Sequence, residues 1–248
     1  METLLTLLTD PSAWVALLTL VVMEVVLGVD NLIFIALLSN RLPAAHRART
    51  RNLGIALALV MRLALLSTIA FIVSLTRPVL TVFDVTLSWR DLILIAGGLF
   101  LIWKATREIH EATDPDATDG DAKIAKGSLG VAAAIIQIIL LDMVFSIDSI
   151  LTAVGMTDRL AIMMAAVVIA VVLMMIASGP LAAFIRKNPS LVMLALGFLL
   201  MIGVMLIADG LGFHVPRGYV YAAMGFSAFV EGLNMIARTR RRHRSRAE

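Results

Sequence analysis

The chain contains no cysteine. Disulfides, zinc–thiolate centres and thiol nucleophiles are therefore excluded. Histidine is scarce, and His46, His110, His214 and His243 all fall outside the apolar runs. No nucleotide-binding motif is present, so direct ATP drive is not expected. Only 16% of the 248 residues are charged, and those charges lie mostly between apolar runs. What fills the chain instead is hydrocarbon: 60% of residues are hydrophobic and the mean hydropathy is +0.95. A soluble domain is normally about 45–50% apolar. This is the composition of a polytopic membrane protein, and spans of about 20 residues allow six to eight helices in this length.

The apolar runs predict an all-α chain with spans near 13–38, 53–75, 91–106, 129–154, 160–184, 190–208 and 218–237. One transmembrane domain, 1–237, would hold all seven. Residues 1–12 lack a positive n-region, so the first run is expected to stay as a span rather than leave as a signal peptide. The connection 76–90 carries Arg77, Pro78, Asp84 and Arg90. The stretch 107–128 is hydrophilic, with Glu108, Glu111, Asp114, Asp116, Asp119 and Asp121. It reads as a solvated cytoplasmic linker. The tail 238–248 is strongly basic and suits anionic lipid headgroups. The pI near 9.7 comes largely from that tail and does not imply nucleic acid. The segments 41–51, 104–126, 186–187 and the tail hold sixteen of the 21 Lys and Arg; the opposite side has only Arg77, Arg90, Arg159 and Arg217. The basic side is expected to be cytoplasmic. The N-terminus is then outside and the C-terminus inside, which seven spans satisfy.

One motif is written twice. Glu24-Val-Val-Leu-Gly28-Val-Asp30-Asn31 lies in the first span, and Asp142-Met-Val-Phe-Ser146-Ile-Asp148-Ser149 in the fourth. A carboxylate at membrane depth costs about 2.5–3.5 kcal/mol on insertion scales, so four of them need a reason. The stretch Leu92–Ile102 also aligns with Leu191–Met201, setting Gly98 against Gly197. Spans one to three thus resemble spans four to six, giving repeats 13–106 and 129–208 and an extra helix, 218–237. An odd number of helices per repeat inverts the second copy, which is a transporter architecture with sites near the midplane.

Helical geometry divides each motif. Asn31 and Ser149 sit almost two turns after Glu24 and Asp142, on the same face. Gly28 and Ser146 lie close to that face. Asp30 and Asp148 are about 120° away around a regular helix. Either the helices unwind near Gly28 and Ser146, or the acids serve successive positions along a path. Glu24 and Asp142 are expected nearest each other at mid-membrane. The donors are all oxygen, which suits Mg²⁺, Ca²⁺ or Mn²⁺. The candidate metal ligands are Glu24, Asp30, Asn31, Asp142, Asp148 and Ser149. Arg62, in the second span, is the candidate counter-charge, set against a plain packing role; it cannot neutralise four acids. Glu231 and Asn234 suit the cytoplasmic mouth, Asp209 and Gln137 the span ends, and Gly97, Gly98, Gly197 and Gly203 close helix packing.

With both motifs placed, the sequence resembles the TerC family of integral membrane proteins, named for tellurium resistance. Gly97–Glu111, which includes Trp103-Lys104, and Gly212–Ser227 resemble the family as well, the latter being similar to an uncharacterised bacterial inner-membrane branch. The resemblance covers nearly the whole chain. It implies a seven-helix fold related to the LysE exporter superfamily and export of manganese or a related divalent cation. It also implies Glu24, Asp30, Asp142 and Asp148 as metal ligands, with Asn31 and Ser149 adjacent. No CBS or transporter-associated domain is read in these residues. The expectation is a secondary transporter in the bacterial inner membrane, not an enzyme, with the cation as substrate, no cofactor, and proton counter-transport. Two alternatives stand beside it. An intramembrane aspartyl protease would need two aspartates sharing a proton, but Gly28-Val29-Asp30 lacks the first glycine of the protease pattern Gly-x-Gly-Asp. A membrane scaffold could aid metallation of exported proteins.

Overall fold

The computed structural model describes residues 10–68, 73, 75–82, 85–113, 130–213 and 216–244. These contain seven long helices: α1 Pro11–Asn40, α2 Ala44–Ser67, α3 Trp89–Thr113, α4 Val131–Met156, α5 Leu160–Lys187, α6 Pro189–Gly210 and α7 Arg217–Arg244. A hairpin, β1 Pro78–Val82 and β2 Val85–Ser88, stands before α3. The all-α expectation did not include it. Its strands pair antiparallel with Leu80 opposite Leu87 and Val82 opposite Val85. It delivers Ser88 to the start of α3, where the Asp91 carboxylate accepts from both the Ser88 amide and hydroxyl (2.8 and 2.7 Å).

Several boundaries move. α2 begins nine residues before the predicted span, because the basic stretch 44–52 is itself helical. α3 runs on through 107–113 of the predicted linker, supported by the Lys104–Glu108 and Arg107–Glu111 pairs one turn apart. The acidic stretch 114–129, Asp84, His214 and the last four residues of the tail lie outside the described residues.

Six of the helices are long and apolar enough to cross a membrane; α3 is not. Its uncharged run, Leu92 to Trp103, is about a dozen residues, short of the roughly 20 a span needs. Arg90 and Asp91 crowd one end and Lys104, Arg107 and Glu108 the other. Among the described residues there are thus seven long helices, six of which qualify as spans by length and composition.

α1 starts where Asp10 caps it, accepting from the Ser12 amide at 3.0 Å, with Pro11 in the first turn. Its buried stripe is Leu20, Glu24, Gly28, Asn31, Ile35 and Leu38; its exposed stripe is Val15, Leu18, Val22, Val26 and Val29. The stripe on α4 has the same construction: Ala134, Ile138, Asp142, Ser146, Ser149 and Ala153 are buried. α1 packs most extensively on α5, α2 on α4, and α3 on α6. Gly98 and Gly203 set the last contact. A Cβ on Gly98 would lie 2.5 Å from the Gly203 carbonyl, and one on Gly203 would lie 2.9 Å from the Gly98 carbonyl. Gly97 likewise makes room for Val144 of α4. Gly197, expected to serve the same purpose, has nothing near its Cβ position.

Candidate functional site

α1 and α4 carry their acids into the interior, and α2 supplies the group between them. Arg62 is 3% exposed. Its Nη1 donates to Glu24 Oε2 at 2.5 Å, its Nη2 to Asp142 Oδ1 at 2.9 Å, and its Nε to the Ser146 hydroxyl at 2.9 Å. Glu24 and Asp142 are each 4% exposed. Asn31 closes the group, donating from Nδ2 to Asp142 Oδ1 at 2.7 Å. Three helices are thus tied together at one buried guanidinium. Formally the cluster carries two negative charges and one positive, so one negative charge is unmatched.

Unwinding at Gly28 and Ser146, the first of the two arrangements, does not occur; both helices run through without a break. Ser146 Oγ donates back to the Asp142 carbonyl at 2.5 Å, one turn earlier, and accepts from Arg62 Nε. Gly28 serves packing instead: a Cβ there would strike Met174 Sδ of α5.

The predicted ligands do not gather at one point. Among the described residues no group of three or more His, Cys, Asp or Glu is placed to hold a metal ion. Asp148 stands apart, between Arg90 Nη2 of α3 at 2.5 Å and Arg217 Nη2 of α7. Ser149 Oγ donates weakly to the Ser146 carbonyl at 3.3 Å. Asp30 is 7% exposed, and its Oδ1 has no hydrogen-bond partner. Asn31 Oδ1 is in the same condition. Tyr221 of α7 lies near Arg217, Asp30 and Asp148. The acids therefore occupy successive positions, the second of the two arrangements the helical angles allow.

Sequence reasoning missed Arg90 and Arg217 as partners of Asp148. A signal was present: they are two of only four basic residues on the side poor in Lys and Arg. It also missed the cluster at the far end of α3. There Arg41 pairs with Glu108 and with Glu111 (2.7 Å for the latter), and Lys104 holds Glu108 at 2.9 Å. Of the minor candidates, Asn234 donates to Glu231 at 3.3 Å on an exposed stretch of α7. Gln137 keeps a buried, unpartnered Oε1, and Asp209 is 9% exposed.

The sequence profile of the family described as "Integral membrane protein TerC family" matches residues 9–246. The chain belongs to the TerC family. The match spans both acidic motifs and all seven helices. Among the relatives of this TerC chain is "UPF0053 inner membrane protein YgdQ" of Escherichia coli (strain K12), 52% identical over 92% of this chain and 95% of that protein. "UPF0053 inner membrane protein YoaE" of the same strain is 53% identical over 93% of this chain but only 44% of its own length. The chain thus spans less than half of YoaE and nearly all of YgdQ. No solved structure matches. The TerC chain is an integral membrane protein, and its relatives are named as inner-membrane proteins.

Proposed function

We propose that this TerC chain is a secondary transporter that exports a divalent metal cation, with Mn²⁺ the favoured substrate, through the carboxylates of α1 and α4. The observation that carries the reading is a pair of buried acceptors without donors. Asn31 Oδ1, on the side chain that bonds Asp142, and Asp30 Oδ1, on the preceding residue, have no hydrogen-bond partner. A buried oxygen left unpaired costs about 1–3 kcal/mol, more for a charged group. A hard cation is the partner such oxygens fit. Arg62 acts as the resident counter-charge: it holds Glu24 and Asp142 together and yields them to an arriving ion. The helix pairing supports an inverted repeat, since α1 on α5 corresponds to α4 on α2. The orientation with an external N-terminus remains the one that the basic segments favour.

The protease alternative fares less well. Asp142 bonds Arg62, and Asp148 bonds two arginines, so each meets a guanidinium where the protease needs a second aspartate.

Proteoliposomes test the reading, with Mn²⁺, Mg²⁺, Ca²⁺ and Zn²⁺ compared and an opposing proton gradient imposed or removed. Wild type is expected to move Mn²⁺, and Glu24→Gln and Asp148→Asn to lose that movement. If no divalent ion moves, or both variants transport as wild type does, the reading fails.

A further inference from the structure

The two ion-pair clusters on α3 stand at its opposite ends. Arg90, in its first turn, reaches Asp148 of α4, where Arg217 of α7 joins. Glu108 and Glu111, in its last turns, receive Arg41 from the end of α1. The helical rise places these clusters about 27–32 Å apart. Beside Asp148 lies an open cleft of about 500 Å³ lined by Thr76, Ser88, Leu151 and Thr152. Beside Arg41 lies a narrower one walled by Phe34, Leu38 and Leu196.

α3 is not fastened equally to its neighbours. Against α6 it is in backbone contact at two levels: Gly98 with Gly203, and Gly210 with the Asp91 carbonyl, which a Cβ on Gly210 would meet at 2.7 Å. The glycines let the two backbones approach this closely. Against α1 and α4 its specific contacts are the two ion-pair clusters and, between them, Gly97 seated on Val144.

We propose that α3 and α6 form one rigid body that tilts about the Gly97–Val144 contact, so that the Arg90/Arg217–Asp148 cluster and the Arg41–Glu108/Glu111 cluster act as reciprocal gates of the central site. This rests on the transporter reading above and assigns its moving unit. That unit takes one helix from each repeat rather than one whole repeat against the other. A tilt of about 15° about Gly97 would displace Arg90 by roughly 3 Å and Glu108 and Glu111 by roughly 4–5 Å in the opposite direction, enough to open either cluster while the other tightens. Glu108 and Asp148 are buried, so opening one cluster carries a cost that the tightening of the other offsets. With both closed, as here, the central site is occluded and Arg62 occupies it.

The absence of cysteine allows a direct test, because each introduced thiol is the sole reporter. Leu151→Cys reports the cleft beside Asp148, and Leu38→Cys the one beside Arg41. Both are placed in reconstituted full-length protein and modified by a membrane-impermeant maleimide applied to each face in turn. Arg41→Ala is expected to raise modification of Leu38→Cys by about threefold or more and to lower that of Leu151→Cys, as a shift between two populations requires. Arg90→Ala is expected to do the reverse. The charge swap Arg41→Glu with Glu108→Arg should return both rates toward the parent. Where an alanine variant does not fold, the corresponding Arg→Lys variant should show the same opposed changes at smaller size. Rates that rise together, or do not change, overturn the proposal. Opposed rates without any divalent-ion movement would keep the gates and sink the cation reading; Mn²⁺ movement with unchanged rates would do the opposite.

Discussion

Replacing Arg62 by leucine removes the one cation from a cluster of two buried carboxylates. The guanidinium touches Glu24 at 2.5 Å and Asp142 at 2.9 Å, and all three side chains are at most 5% exposed. At an effective dielectric near 20, each pair at about 4 Å between charge centres contributes roughly 4 kcal/mol of attraction, offset by desolvation. What the substitution measures is the penalty of leaving charges buried and unpaired, about 3–5 kcal/mol. For a chain of this size each kcal/mol moves Tm by roughly 2–4 °C. Arg62→Leu in metal-free detergent should therefore melt roughly 6–20 °C below wild type. Mn²⁺ should then restore what the arginine supplied: at a hundred times its Kd a ligand adds about 2.7 kcal/mol. The Mn²⁺-induced rise in Tm should be larger in the variant than in wild type, where the ion must first displace Arg62. Adding Glu24→Gln and Asp142→Asn to the variant should recover stability without metal and abolish the Mn²⁺ response. Differential scanning fluorimetry reads all of this. A variant as stable as wild type without metal, or equal Mn²⁺ shifts in the two proteins, refutes the view of Arg62 as a resident stand-in for the cation.

Other outcomes follow from the same geometry. Gly98→Val should destabilise by about 1–3 kcal/mol or more, because its Cβ meets a carbonyl that cannot move aside. Gly197→Ala, with open space at its Cβ, should stay within about 0.5 kcal/mol by the same melting measurement. Gly28→Ala meets only the flexible end of Met174, so Met174→Ala should restore most of any loss it causes. Asp10, at the start of α1, is held down from 3.8 to about 2 by hydrogen bonds from Ser12 and then from Arg159. A depressed carboxylate stabilises above its unfolded value and loses that contribution as pH falls through the folded one. The difference in Tm between wild type and Asp10→Asn should thus be constant from pH 5 to 8 and shrink only below about pH 4.

Much of this molecule was legible in its sequence because hydrocarbon has no tolerance for exceptions. Runs of apolar residues announce helices, and a carboxylate inside one announces a partner, since burial without one is too costly. The repeated motif, the shared face of Glu24, Gly28 and Asn31, and the meeting of Glu24, Asp142 and Arg62 all follow from that rule and from helical geometry. What the sequence could not decide was which polar groups meet across the fold. A helix may unwind or stay intact around the same residues, and α1 and α4 stay whole. Asp142 and Asp148 are equivalent in composition. Only the packing of α3 and α7 against α4 gave one to Arg62 and the other to Arg90 and Arg217. The same holds for the two glycines aligned in the repeats: Gly98 touches backbone and Gly197 touches nothing, because contact depends on which face a neighbouring helix covers. One-dimensional periodicity fixes the face a residue occupies; the partner on that face is set by three-dimensional packing.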